Sequence, residues 1–206
     1  MNELRLVKFQ TLIEDISKTF TKNFHGSWYS NEKQHPNLAL RLIFDYDECN
    51  EYARIIIDKS LLYFTRGFAV VFFDDLNIFA SLCDNKCDTK TRISVSKEFV
   101  KICREEYFDS MASYRFIFWA LLVLTVDKNN AQEYLSLICD FAKMLKITND
   151  EFEDIINVIK CVYNVDDKNY TFKTKRIPEV FDGVLNLYSD WFIVFLKEDM
   201  LWRTIP

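Results

Sequence analysis

Glycine and proline are scarce in this chain, which has three of each among its 206 residues. Average proteins contain about 7% glycine and about 5% proline, and turn-rich sandwiches and barrels depend on both residues. Their scarcity therefore disfavours those folds. Half of the residues are hydrophobic and 28% are charged, a balance that excludes intrinsic disorder. Long helices joined by few turns are the architecture that remains.

Signals for export and membrane insertion are also lacking. The amino-terminal segment MNELRLVKFQ has no continuous apolar core of the kind that a secretory signal requires. The longest apolar run, from Phe116 to Leu124, covers nine residues, whereas a membrane-spanning helix needs roughly twenty. The six cysteines lie mostly within apolar stretches, as reduced thiols do in the cytosol. We therefore expect a cytoplasmic protein without a membrane segment.

Motifs for catalysis, metal binding and phosphate binding are missing. Glycine occurs only at positions 26, 67 and 183, so neither a glycine-rich phosphate loop nor a dinucleotide-binding fingerprint can form. Cys83 and Cys87 have a spacing close to that of zinc ligands, but a second pair is absent, and His25 and His35 lie far away in the sequence. We expect no enzyme activity, no cofactor and no metal site. A metal-dependent hydrolase built in a helical bundle, with inward-pointing Glu and His ligands, is an alternative of a different class.

Hydrophobic periodicity predicts an all-α fold, a single-domain bundle of about seven helices that covers residues 1–206. Apolar residues recur at steps of three and four, the pattern of amphipathic helices. The predicted helices are 3–24, 48–64, 94–111, 111–126, 131–145, 150–163 and a last one with Pro178 in its first turn. The stretch 67–82 fits either a helix or a strand hairpin. A division into an amino-terminal part, 1–47, and a second part, 48–206, is an alternative to the single domain.

A capping box marks the start of the helix 150–163. The Thr148 hydroxyl and the Glu151 carboxylate are spaced to satisfy each other's backbone donors. Asp150, Glu153 and Asp154 follow the same cap, and carboxylates in a first turn interact favourably with the helix dipole. We interpret this acidic group as a solvated helix end.

Two further groups of carboxylates lie beside aromatic residues. The first is Asp45, Tyr46, Asp47 and Glu48, and the second is Phe73, Asp74 and Asp75. Acidic side chains flanked by aromatics are more typical of a protein–protein contact than of an active site. The net charge of −5 argues against direct binding of nucleic acid and favours a basic protein as partner. We therefore predict that these seven residues bind a partner, with core packing as the alternative for each aromatic.

Three stretches resemble the PoNi-type immunity proteins, which neutralise the PoNe-type DNase toxins of bacterial polymorphic toxin systems. They are Ile55 to Gly67 with Asp75 and Leu76, Tyr114 to Asp127 with Tyr134-Leu-Ser-Leu-Ile, and Tyr188 to Phe192 with Trp202. Phe68 and the Ala120-to-Leu124 segment depart from the family's pattern. The resemblance implies a cytoplasmic immunity protein that binds its cognate toxin, a basic nuclease domain, and masks the active site or DNA-binding groove.

Residues 116–163 also resemble the helical hairpin of TerB-like tellurite-resistance proteins. The similarity rests on Ala120 to Asp127 and on Leu145 to Phe152, while Lys128 and Asn129 replace the Asp-Gly turn of that family. It implies the alternative function, a helical interaction or scaffold domain that binds a protein through an apolar groove. The oligomeric state is left open, with an isologous homodimer as one alternative.

Overall fold

A computed structural model of the protein describes residues 3–22, 33–64, 88–127, 129, 131–163 and 170–187. The helices in this part of the chain are α1 (Glu3–Lys22), α2 (Leu38–Ile43), α3 (Glu51–Lys59), α4 (Thr89–Ile102), α5 (Ser110–Val126), α6 (Ala131–Met144), α7 (Asn149–Val162), α8 (Arg176–Val180) and α9 (Asp182–Leu185). A π-helical turn, Cys103–Tyr107, follows α4, and two four-residue strands, β1 (Lys33–Pro36) and β2 (Leu61–Phe64), form one antiparallel pair. The predicted all-α class is confirmed, since this small sheet is the only departure from helix among the described elements.

Helix α5 forms the centre of the fold. Every residue from Ala112 to Thr125 is buried, so the helix has no polar face and needs neighbours on all sides. Helices α3, α6 and α7 and strand β2 pack around it. Asp109 caps its start by accepting a hydrogen bond from the Ala112 N–H at 2.8 Å, and Asp127 follows its last residue. A helix of 17 residues is about 25 Å long, which separates its two polar ends by that distance.

Helix α1 packs on this core as its apolar stripe predicts. The Phe20 ring meets the rings of Trp119 and Phe181 edge-on, with centroids 5.8 and 5.7 Å apart. Helix α9 lies directly against α1, because an added Cβ at Gly183 would lie only 2.8 Å from the Thr19 Cβ. Any larger residue at position 183 would therefore force the two helices apart.

The segment after α3 differs from the prediction. Periodicity predicted a helix as far as Phe64, but α3 ends at Lys59, because Ser60 turns to an extended conformation with φ −69° and ψ 145°. The next residues include β-favouring aromatics and form β2, whose Leu61 pairs with Pro36. Pro36, which lies between the predicted helices 3–24 and 48–64, is thus part of a strand. Helix α2, at six residues, is too short to give a periodic pattern and was not predicted.

Two other helix boundaries also move. Helix α4 begins at Thr89, not near 94, because the Asp88 carboxylate accepts hydrogen bonds from the N–H groups of Lys90 and Thr91 at 2.9 and 3.1 Å. The predicted helix around Pro178 is divided into α8 and α9, because Phe181 leaves the helical region with φ −107° and ψ 15°. Both differences reflect local backbone geometry that a hydrophobic pattern does not encode.

The capping box before α7 is confirmed, but the interpretation of its acidic group is wrong for Asp154. The Thr148 hydroxyl accepts from the Glu151 N–H at 3.2 Å, and the Glu151 carboxylate accepts from the Thr148 N–H at 2.9 Å. Asp154 is not solvated: it is fully buried. Its carboxylate accepts hydrogen bonds from the Lys173 N–H and from the N–H and hydroxyl of Thr174, at 2.7 to 2.8 Å. Asp154 therefore anchors the segment before α8 onto α7.

Several predictions concern residues outside the described ranges. These include the stretch 67–82 with Phe73, Asp74 and Asp75, the Cys83 and Cys87 pair, and Tyr188 to Phe192. Among the described helices, none has the length and apolar character needed to cross a membrane. The described residues also contain no group of three metal-ligating side chains close enough to hold an ion. The single-domain organisation stays a prediction.

Candidate functional site

The predicted residues Asp45 and Glu48 line a cavity of about 390 Å³. The cavity lies where the turn after α2 meets the start of α4, the carboxyl end of α5 and helix α6. Its other lining residues are Phe44, Cys49, Thr89, Arg92, Leu124, Asp127, Asn129 and Tyr134. Three carboxylates, those of Asp45, Glu48 and Asp127, share it with one guanidinium, that of Arg92. We call it the acidic cavity.

The turn from Asp45 to Glu48 is shaped by its own backbone hydrogen bonds. The Asp45 carbonyl accepts from the N–H groups of Glu48 and Cys49 at 3.1 and 3.0 Å. The Asp45 carboxylate accepts from the Asp47 N–H at 3.3 Å, an arrangement that favours aspartate at the first position of a turn. Helix α3 begins directly afterwards, with Asn50 capping it through the Ala53 N–H at 3.0 Å.

Tyr46 is held by the protein's own side chains. Its hydroxyl donates to the Asp58 carboxylate at 2.7 Å, and this hydrogen bond is the main reason that the pKa of Tyr46 is raised. The guanidinium groups of Arg41 and Arg54 lie 4.4 and 5.4 Å from the centre of its ring, within the range of cation–π attraction. Arg41 also forms an ion pair with Asp58 at 2.6 Å. Tyr46 therefore fixes the turn on α3.

Asp45 is the internal partner of Arg92. The Arg92 side chain is only 8% exposed, and its Nη2 lies 3.4 Å from the Asp45 carboxylate. Its Nη1 donates to the Arg41 carbonyl at 3.3 Å. A buried guanidinium is costly unless it is paired, so much of the Asp45 charge compensates Arg92.

Asp47 and Glu48 are the carboxylates of the turn that remain for a partner. Both residues are exposed, and neither forms an ion pair with any cation in the part of the chain that the structure describes. Arg54 donates to the backbone carbonyls of Tyr46 and Asp47 at 3.1 and 2.6 Å. The backbone under these two carboxylates is therefore fixed while their charges face solvent.

Asp127 ties the end of α5 to this turn, a role that sequence reasoning missed. Its carboxylate is buried and accepts from the N–H groups of Asn50 and Asn129, both at 3.0 Å. The Asn129 side chain then donates to the Glu48 carbonyl at 2.9 Å. Neither Asp127 nor Arg92 was among the predicted site residues. No local signal placed them beside residues more than forty positions away.

The surroundings of the Cys49 thiol in this cavity disfavour its thiolate form. Burial, followed by the charge of Asp127 and a hydrogen bond to it, raises the pKa of Cys49 to about 12. A thiol with such a pKa is almost wholly protonated at neutral pH, and the thiolate is the reactive form. The cavity thus offers charge and shape, and its chemistry suits recognition.

The second predicted group, Phe73, Asp74 and Asp75, lies outside the described residues. The structure therefore shows where only the first group lies, and partner binding by the second group stays a prediction.

Comparison with known proteins gives no relative of this chain. No protein-family model matches it, and neither the curated proteins nor the solved structures include a match. The resemblances to PoNi-type and TerB-like proteins therefore rest on the residues quoted for them. Function has to be inferred from the geometry of the site.

Proposed function

We propose that this protein is an immunity protein that binds a basic toxin domain, a DNase, and masks its active site or DNA-binding groove. The observation that carries the proposal is the turn from Asp45 to Glu48. Its backbone is fixed by Arg54, Tyr46 and Asp127, while the carboxylates of Asp47 and Glu48 are exposed and unpaired among the described residues.

The chemistry of a nuclease groove matches this turn. Such a groove carries lysines and arginines that hold phosphate groups, so carboxylates on a protein inhibitor can take the phosphate positions. Opposite charges also speed the encounter of the two proteins. Because the turn is already ordered, little conformational entropy is lost when it binds.

The acidic cavity beside the turn has room for a long basic side chain of the partner. The cavity contains three carboxylates, those of Asp45, Glu48 and Asp127, and one guanidinium, that of Arg92, so its negative charges outnumber its positive charge by two. The Phe44 and Tyr134 rings, with centroids 4.9 Å apart, provide an aromatic wall of the kind that attracts a guanidinium or ammonium group. A lysine or arginine of the toxin would enter this cavity next to Glu48.

A tight inhibitor needs more surface than one turn provides. Nanomolar affinity corresponds to about −12 kcal/mol, and stable interfaces bury about 1,600 Å² in total. The predicted second group, Phe73, Asp74 and Asp75, is proposed to supply further contacts. The resemblance to PoNi-type proteins, which includes Ile55 to Gly67 with Asp75 and Leu76, supports the same partner class.

Co-expression with a toxin nuclease encoded beside this protein's gene tests the proposal. Wild-type protein is expected to restore growth, and the double variant Asp47→Asn/Glu48→Gln is expected to restore it poorly. The control, Glu3→Gln/Glu179→Gln, removes the same charge from two other exposed carboxylates and should protect fully. Growth inhibition that is equally strong with and without the wild-type protein would refute the proposed function.

The alternative function, a helical interaction or scaffold domain, is favoured by a different observation. Leu4 and Val7 are 59% and 58% exposed, and residues three apart lie on the same face of a helix. An apolar partner would dock on this part of α1. If Leu4→Ser/Val7→Ser abolishes capture of the partner and Asp47→Asn/Glu48→Gln leaves it intact, the interaction-domain function replaces the immunity function.

A further inference from the structure

A second cavity of about 390 Å³ lies at the opposite end of α5. It is bounded by the start of α5, the turn between α6 and α7, and the start of α8. The charged residues that line it are the cations Arg104, Lys146 and Arg176 and the carboxylates Asp109 and Glu151. Cations exceed carboxylates here, in a chain whose net charge is negative. We call it the basic cavity.

The two carboxylates of the basic cavity are occupied by hydrogen bonds within the chain. Asp109 accepts from the Ala112 N–H at 2.8 Å. Glu151 accepts from the Tyr114 hydroxyl at 2.5 Å and from the Thr148 N–H at 2.9 Å. Burial raises the pKa of Glu151, but these donors and the charge of Arg176 outweigh that effect and lower it. Each carboxylate therefore caps the start of one helix: Asp109 caps α5, and Glu151 caps α7.

All three cationic residues of the basic cavity are exposed. Within the described ranges, none of Arg104, Lys146 and Arg176 forms an ion pair. Arg176 donates to the Ser110 hydroxyl, and its guanidinium lies 5.4 Å from the centre of the Tyr114 ring. The dipole of α5 adds positive potential at this end of the helix. The cavity therefore has one more cation than carboxylates, and its net charge is positive.

Lys146 occupies a backbone position at which glycine is usual. It has φ 60°, the one positive φ of a non-glycine residue in the described part of the chain. The Ile147 N–H bonds to the Ala142 carbonyl at 2.9 Å and the Lys146 N–H to the Lys143 carbonyl at 3.1 Å, the pattern of a helix terminus that favours glycine. A lysine here carries a conformational cost and places a cation at the cavity.

We propose that the basic cavity binds the phosphate group of a small phosphomonoester. Arginine offers a planar pair of donors that suits phosphate oxygens, and lysine adds a compact charge. The cavity volume lies within the range of sites for small organic ligands, so it has room for the group esterified to the phosphate. This inference is independent of the proposed immunity function, because it concerns the other end of α5.

Calorimetric titration of the whole protein with glycerol phosphate, at constant ionic strength, tests this proposal. Saturable binding of one ligand per chain is expected, and neutral glycerol should give none. Lys146→Gly and Arg176→Gln should each weaken binding about tenfold, the effect of losing a charged hydrogen bond. Lys90→Gln, which removes an exposed lysine of α4, is the matched control and should leave binding unchanged.

Lys146→Gly also separates binding from folding. Because glycine relaxes the left-handed position, the midpoint of urea denaturation should be equal to or above that of the wild type while binding falls. A site with a dissociation constant of about 1 mM would be nearly saturated at ten times that concentration, about 10 mM glycerol phosphate. Absence of saturable binding at about 10 mM would overturn the proposal. Binding that Lys146→Gly and Arg176→Gln both leave unchanged would overturn it as well.

Discussion

The two ends of α5 open on cavities of equal volume and opposite charge. At the carboxyl end, Asp127 holds the chain together while Asp47 and Glu48 are displayed. At the amino end, Asp109 and Glu151 hold the chain together while cations are displayed. Each cavity has the sign of the nearer pole of the helix dipole. Carboxylates therefore stabilise both ends of α5, but the exposed carboxylates without an ion pair among the described residues, those of Asp47 and Glu48, lie at the carboxyl end.

The largest expected effect compares the two carboxylates that flank α5. Asp127→Ala removes a buried acceptor from two backbone N–H groups, those of Asn50 and Asn129, and should lower the free energy of unfolding by about 3 kcal/mol. Asp109→Ala removes a helix cap and should lower it by about 1 kcal/mol. Urea denaturation measures both. If the two variants lose the same free energy of unfolding, or if Asp109→Ala loses more, then Asp127 does not stabilise the fold more than Asp109 does.

The cysteines give a second, smaller contrast. The pKa of Cys49, in the acidic cavity, is raised to about 12, first by burial and then by Asp127, whereas burial alone raises that of Cys161 to about 11. One pKa unit corresponds to about tenfold in thiolate population, or about 1.4 kcal/mol. Alkylation followed by peptide mass mapping should therefore label Cys49 more slowly than Cys161, which is also the less buried of the two. Faster labelling of Cys49 would contradict the electrostatics assigned to the acidic cavity.

The smallest expected effect concerns acid sensitivity at the basic end. The folded-state pKa of Glu151 is lowered from its ordinary value of 4.5, so its stabilisation is present at neutral pH and is lost as the pH falls through that lowered pKa. Glu151→Gln keeps the capping geometry and removes the charge. Between neutral pH and about pH 3, the free energy of unfolding falls in both proteins. Since the Glu151 carboxylate is partly exposed, we expect this fall to be about 0.5 kcal/mol smaller in the variant than in wild type.

Denaturation curves at the two pH values measure this difference. An acid loss as large in Glu151→Gln as in wild type would show that the Glu151 charge does not contribute to the stability of the basic end.

The parts of the fold that could be predicted from the sequence are those determined by neighbours along the chain. The stripe of α1, the all-apolar α5 and the Thr148 capping box are all local patterns, and the structure confirms them. The β1–β2 pair and the burial of Asp154 depend on contacts with residues that are distant in the sequence. A periodic pattern holds no information about such contacts.

The candidate site divides in the same way. Composition drew attention to Asp45, Asp47 and Glu48, and the structure places Asp45 and Glu48 at one cavity. The different roles of these residues could not be predicted, because they depend on contacts between distant parts of the sequence. Arg92 pairs with Asp45, 47 residues away, and Asp127 accepts from Asn50, 77 residues away. The basic cavity was missed altogether, since its cations are scattered from position 104 to position 176.

The rate at which the protein associates with the toxin nuclease, measured by stopped-flow at low and high salt, tests the central claim most directly. The account predicts fast, salt-sensitive association for wild type, and an association rate about tenfold lower and less salt-sensitive for Asp47→Asn/Glu48→Gln. The Glu3→Gln/Glu179→Gln control should match wild type. Equal rates for wild type and Asp47→Asn/Glu48→Gln at both salt concentrations would contradict the claim that the acidic end of α5 receives the partner.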